Sequence, residues 1–187
     1  DSSGNDKHWT IVFAQDTGKY QAPNYGYKSC NTGGFSSTFG YYSVAAGGGS
    51  VAIGNTACAK CTSSIAFGHS SCSEGISASA IGYGSIALGH FSLAVGMGNT
   101  TSDTSVHGTA VGRCNTVSNH CATAVGYKNI ASGLKSTALG LCAVSRVGCT
   151  TNIGGALITK KDSGDSAETA ATSFYQYSSA EITLMTK

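Results

Sequence analysis

An apolar residue followed by glycine recurs every 14 residues along this chain. It stands at Tyr25-Gly26, Phe39-Gly40, Ile53-Gly54, Phe67-Gly68, Ile81-Gly82 and Val95-Gly96. After a two-residue slip it resumes at Val111-Gly112, Val125-Gly126, Leu139-Gly140 and Ile153-Gly154. A fixed period of this kind indicates stacked, identical units rather than a conventional globular core. With each glycine numbered 0, position −2 holds Ala52, Ala66, Ala80, Ala94, Ala110, Ala124 and Ala138. Position −4 is always small: Ala22, Ser36, Ser50, Ser64, Ala78, Ser92, Gly108, Ala122, Ser136 and Thr150. Alternate side chains of a strand point to opposite faces. Positions −4, −2 and 0 therefore predict one face of tiny residues, and −3 and −1 a bulkier one.

A weaker copy runs seven residues out of phase, as in Ser43-Val44-Ala45-Ala46-Gly47, Ser71-Cys72-Ser73-Glu74-Gly75, Ser85-Ile86-Ala87-Leu88-Gly89 and Asn129-Ile130-Ala131-Ser132-Gly133. The pattern predicts an all-β solenoid, a parallel β-roll whose 14-residue turns each hold two short strands. The tiny faces meet across a narrow interior, and glycine at position 0 permits the bend. The repeats span residues 22–154. Residues 1–21 are expected to form an N-terminal cap or inter-subunit segment, and 155–187 a C-terminal cap, neck or inter-subunit segment. Trp9-Thr10-Ile11-Val12-Phe13-Ala14 and Ala180-Glu181-Ile182-Thr183-Leu184-Met185 are strand-prone. Solenoid ends carry unpaired edges, so these segments either cap the roll or pair with the next molecule. The slip is expected as a surface loop between Met97 and His107.

The outer faces differ. Ile53, Phe67, Ile81, Val95, Val111, Val125, Leu139 and Ile153 line one side, whereas Thr32, Lys60, Glu74, Ser118, Ser132 and Arg146 take the corresponding places on the other. A continuous exposed apolar stripe marks an interface. The simplest partner is a second copy of the chain around a symmetry axis.

Ser50-Val51-Ala52-Ile53-Gly54, Ser64-Ile65-Ala66-Phe67-Gly68, Ser85-Ile86-Ala87-Leu88-Gly89 and Ser92-Leu93-Ala94-Val95-Gly96 resemble the head repeat of YadA-like trimeric autotransporter adhesins. Similar repeats occur in viral and phage fibres. The resemblance covers about residues 22–154. It implies a left-handed parallel β-roll, a homotrimer of chains packed side by side, and adhesion at a cell or virion surface.

Composition narrows the function classes. The chain has 187 residues with 26 Gly, one Pro, 11% charged residues and a net charge of +2. The register of the glycines argues against a low-complexity linker. The weak, scattered charge gives no footprint for nucleic acid. No apolar run approaches the roughly 18 residues that would span a bilayer. Asp1 in place of Met leads to the expectation of a processed product or fragment.

Eight cysteines suggest disulfides if the chain is secreted. Cys58 and Cys72 lie 14 apart in one column, on adjacent turns, within reach of a disulfide. That reading ranks ahead of free thiols. A zinc site built from Cys58, Cys61, His69 and Cys72 ranks last, because Cys58 and Cys61 fall on opposite faces. Cys114 with Cys142, and Cys121 with Cys149, share columns two turns apart. Those pairs are about 9–10 Å apart and too far to bridge within a chain. Links between chains remain open for them.

Position +1 gathers Tyr27, Tyr41, His69, Tyr83 and Tyr127 on one edge. Such an edge can grip a host-surface protein or glycan, or fill the seam between neighbouring chains; the seam is favoured. Asn99-Thr100-Thr101 fits a glycosylation acceptor pattern of little weight. Thr109, Thr123, Thr137 and Thr151 share a column, a weak sign of ice binding. No catalytic arrangement stands out, and no metal or cofactor is expected. The expectation is a non-enzymatic extracellular surface fibre or adhesin head, self-associated through the apolar stripe. The alternative is an extracellular filament subunit polymerised through its terminal segments.

Overall fold

The computed structural model describes residues 23–154. The expected segments at 1–21 and 155–187, with both strand-prone stretches, lie outside the described residues. Between them the chain is a parallel β-solenoid of two sheets. The first sheet has ten strands, from Asn24–Tyr25 to Thr151–Gly154, and the second has nine, from Cys30–Asn31 to Val144–Ser145. Strand order in each sheet follows chain order, so every turn lies on the one before it. The register joins equivalent positions: Ala52 pairs with Ala66, Val95 with Val111, and Ala59 with Ser73. Among the described residues there is no helix, and so none that is long and apolar enough to cross a membrane.

The interior is as narrow as the small-residue columns predict. Ala52, Ala66, Ala80, Ala94, Ala110, Ala124 and Ala138 are fully buried, as are Ala45, Ala59, Ala87 and Ala131 opposite them. An alanine core buries little apolar area, at about 0.8 kcal/mol per CH₂. Close packing and the inter-turn hydrogen-bond ladders must therefore carry much of the stability.

The glycine at position 0 departs from the expected inner face. Gly54 has φ +135° and Gly82 φ +114°, values suited to glycine. A Cβ built on Gly54 would lie 2.2 Å from the carbonyl oxygen of Gly68, and one on Gly82 1.9 Å from that of Gly96. These glycines make the corner and leave no room along the solenoid axis.

Two further corner columns are left-handed although glycine is rare in them. One holds Lys28, Tyr42, Thr56, Ser70, Cys114, Lys128 and Cys142, and the other Phe35, Ser63, Ser77, Phe91, His107, Cys121, Lys135 and Cys149. Such a conformation costs a non-glycine residue about 1–2 kcal/mol. Ladder bonds hold it in place: Thr56 N donates to Tyr41 O at 2.8 Å and Ser63 N to Gly48 O at 2.8 Å.

The column three residues after the glycine changes along the roll. It reads Ser43, Ala57, Ser71 and Ser85, and then Asn99, Asn115 and Asn129. All three asparagines are fully buried. Asn115 Nδ2 donates to Val111 O and Gly126 O, both at 2.8 Å, and to Asn99 Oδ1 at 3.0 Å. Its own Oδ1 accepts from Asn129 N at 2.9 Å. A side-chain ladder thus ties the corner carbonyls of successive turns. The first-sheet strands run five residues from Ser79–Tyr83 to Thr137–Leu141, against three in Ser37–Phe39, Val51–Ile53 and Ile65–Phe67.

The slip is narrower than the expected loop. Ile86 still pairs with Thr100 at the regular spacing, whereas Leu93 pairs with Thr109 and Thr100 with Thr116 across the longer one. The extra residues therefore enter between Thr101 and Thr109, where Asp103 and Thr104 are exposed. The ladder closes beneath them, with His107 N donating to His90 O at 3.0 Å and Gly108 N to Ser105 O at 2.8 Å.

Candidate functional site

Alternation on the ten-stranded sheet places the residue before each glycine on the outer surface. The register runs Ile53 to Phe67, Phe67 to Ile81, Ile81 to Val95, and on through Val111, Val125, Leu139 and Ile153. Phe67 is 50% exposed and Ile153 45% exposed, while Ile53, Ile81, Val95, Val111 and Leu139 are half-buried by their neighbours. Val51, Ile65 and Leu93 widen the stripe on its −3 side. In the later turns Thr109, Thr123, Thr137 and Thr151 take that place in register.

The second sheet is less polar than its Thr32, Lys60, Glu74, Ser118, Ser132 and Arg146 column suggests. Two residues earlier in each turn, Val44, Ile86, Ile130 and Val144 also face outward. The contrast between the two faces is therefore one of continuity and bulk: the first sheet carries Phe39 and Phe67 and an unbroken run of apolar side chains.

The +1 edge divides into separate groups. Tyr27 and Tyr41 stack with ring centroids 5.5 Å apart, and Lys28 Nζ lies 5.4 Å from the Tyr27 ring and 5.3 Å from that of Tyr42. His69 and Tyr83 stack at 5.0 Å. Tyr127 lies beneath two cations, with the Arg113 guanidinium at 5.4 Å and Lys128 Nζ at 5.1 Å. Asn55 interrupts the column between Tyr41 and His69. Tyr27 and Tyr83 are about three-fifths exposed.

All eight cysteines are free thiols. Cys58 and Cys72 face each other in register on the adjacent strands Cys58–Ala59 and Cys72–Ser73. No S–S bond joins them. The Cys72 thiol hydrogen-bonds to Cys58 and lowers the Cys58 pKa from 9.0 to about 7, with Lys60 adding to the effect against the cost of burial. Cys72 is pushed upward in return, by that bond and by burial. Lys60 Nζ meets Glu74 Oε1 at 2.5 Å across the same two turns, which raises the lysine and lowers the carboxylate.

Cys114 and Cys142 occupy one left-handed corner column with Lys128 between them; Cys121 and Cys149 occupy the other with Lys135 between. Among the described residues, no group of three or more His, Cys, Asp and Glu side chains is placed to hold a metal ion. The Asn99 acceptor pattern lies in the core: Nδ2 is spent on Val95 O at 2.7 Å and Gly112 O at 2.6 Å. The folded roll offers that amide to no modifying enzyme.

The YadA head domain repeat family model matches residues 32–57, 73–99 and 122–141. No curated protein matches the chain. The matched segments lie on the stacked turns described above, and this region of the chain carries the YadA head domain repeat.

Proposed function

We propose that this chain is the head of an extracellular surface fibre, a non-enzymatic adhesin-like element that trimerises through the apolar stripe of its ten-stranded sheet. The stripe carries the reading. Ten stacked strands about 4.8 Å apart give a surface about 43 Å long. Leaving such a run of Phe, Ile, Val and Leu in water is costly, and identical chains side by side bury it with matching period. The family match supports the same arrangement, since YadA-type heads are trimeric and surface-exposed. The work of the molecule is presentation at a cell or virion surface rather than catalysis. The tyrosine groups at Tyr27, Tyr41, Tyr83 and Tyr127 then lie beside the seam, where they either close it or offer a contact to a host-surface protein or glycan.

Solution mass tests the proposal. The native particle is expected at three times the 18.8 kDa chain. Phe67→Glu combined with Val95→Glu should release monomers that keep the β-sheet circular dichroism. A stable wild-type monomer at micromolar concentration overturns self-association. Long filaments at low concentration would replace the trimer with end-to-end assembly.

A further inference from the structure

We propose that Cys58 and Cys72 form a thiol–disulfide exchange site, at which Cys58 attacks a small-molecule disulfide and Cys72 resolves the adduct into a cross-link between successive turns. The geometry comes from the fold. Both residues face outward on neighbouring parallel strands in direct register. Cys58 N donates to Ser71 O and Cys72 N to Ser85 O, both at 2.9 Å, which fixes both backbones. Adjacent strands lie about 4.8 Å apart, inside the Cα–Cα range of roughly 4.4–6.8 Å that a disulfide accepts. Both side chains are half-buried, so solvent reaches the sulfurs while the sheet restrains them.

The two sulfurs are not equivalent. The Cys72 thiol donates to Glu74 Oε1 at 3.4 Å, and its proximity favours the thiolate on Cys58 rather than on itself. Lys60 stands two residues from Cys58 on the same strand edge, paired with Glu74. Thiolate character therefore gathers on Cys58, with its lowered pKa, and the proton stays on Cys72. In the first step the Cys58 thiolate attacks one sulfur of a disulfide RSSR. A Cys58–SR bond forms, the S–S bond breaks and RS⁻ leaves. In the second step the Cys72 sulfur attacks Cys58 Sγ, the Cys58–SR bond breaks, and the second RS leaves with the Cys72 proton as RSH. The protein dithiol loses two electrons and RSSR gains them, giving RS⁻ and RSH.

The neighbouring Cys61 provides an internal contrast. It takes a glycine's place at the corner, three residues after Cys58, and has no cysteine in register with it. The exposed corner cysteines Cys114, Cys142, Cys121 and Cys149 have a lysine, not a thiol, in the intervening turn. Only the Cys58–Cys72 pair can complete both steps within one chain.

The test equilibrates the native, full-length protein with mixtures of oxidised and reduced glutathione, quenches it with acid, and maps the linkages by peptide mass spectrometry. The expected product in the unmodified chain is a Cys58–Cys72 cross-linked peptide that grows with the oxidised fraction and disappears when the ratio is reversed. In Cys72→Ser the resolving sulfur is missing, and glutathione should accumulate on Cys58. In Cys58→Ser the adduct on Cys72 should remain several-fold lower. A Cys58–Cys61 link, a link between chains through either residue, or no Cys58–Cys72 peptide at any ratio overturns the proposal. So does preferential glutathionylation of Cys72. The unmodified chain decides the cross-link even if a variant fails to fold.

Discussion

The early and late turns of this roll share one lattice and satisfy its corner in different ways. In the late turns, Asn99, Asn115 and Asn129 thread the interior, and each spends its amide on carbonyls of two turns. In the early turns that column holds serine or alanine, and the buried hydroxyl of Ser43 has no hydrogen-bond partner, nor do those of Ser50 and Ser64 at position −4. Aromatic groups outside the barrel mark the same early turns, with Tyr25 stacked on Phe39 at 4.6 Å and Tyr41 against Tyr42 at 4.5 Å. Backbone register alone defines the solenoid. The side chains in the corner decide how tightly each turn is held to the next.

The comparison breaks first if the backbone itself is not the common element. Gly54→Ala in the early turns and Gly112→Ala in the late ones place a Cβ 2.2 Å and 2.1 Å from the next glycine's oxygen, at φ +135° and +116°. Both should lose about 4 kcal/mol or more, seen as unfolding at low urea at fixed chain concentration. A large loss in one half and tolerance in the other would refute a shared lattice. Next, Asn115→Ala strips the side-chain partner from Val111 O, Gly126 O and Asn129 N, while Asn99 Oδ1 keeps the Asn115 backbone N–H. At about 1 kcal/mol for each of these three hydrogen bonds, the expected cost is about 3 kcal/mol before any cavity is counted. Hydrogen exchange should accelerate first in the turns around residues 111–129.

Smaller effects sharpen the contrast. Ser64→Ala removes a buried hydroxyl with no partner and should be neutral or stabilising by about 1 kcal/mol; a loss above 1 kcal/mol would show that the hydroxyl is satisfied after all. Ser85→Asn, one turn before Asn99, should extend the asparagine ladder and slow amide exchange at residues 96–99. The mildest readout leaves stability untouched. Site-resolved alkylation of Cys58 should reach half its limiting rate near pH 7, because thiolate forms as pH rises through the lowered pKa. Cys72→Ser removes the main cause of that shift, so the Cys58 rate at pH 7 should fall about tenfold. An unchanged profile would separate Cys58 from its neighbour.

Much of the fold was legible because a solenoid writes its geometry as period. The alanines at −2 and the small residues at −4 locate the interior, and the seven-residue offset gives the second sheet. The left-handed corners were not legible. They hold Thr56, Tyr42, Cys114 and Lys128, residues with no taste for that conformation, and the inter-turn ladder imposes it from outside. The glycine at 0 was legible as a bend, but its steric role depends on the neighbouring turn. Asn99 falls in the stretch expected as a loop, and its acceptor triplet, of little weight there, does not show that its column is internal. The stripe and the Cys58–Cys72 column were readable as register. The outward Val44, Ile86, Ile130 and Val144 were visible in the sequence and were passed over in favour of the more polar column beside them.

The insertion at Asp103 and Thr104 carries a consequence for variation. Two residues enter at one corner, and pairing resumes on both sides without a shifted strand. A turn of this roll thus behaves as an address with a spare slot: the two sheets fix where the slot sits, and the corner tolerates what is placed in it. A chain built this way can diversify the outer contour of any one turn while every other turn keeps its place.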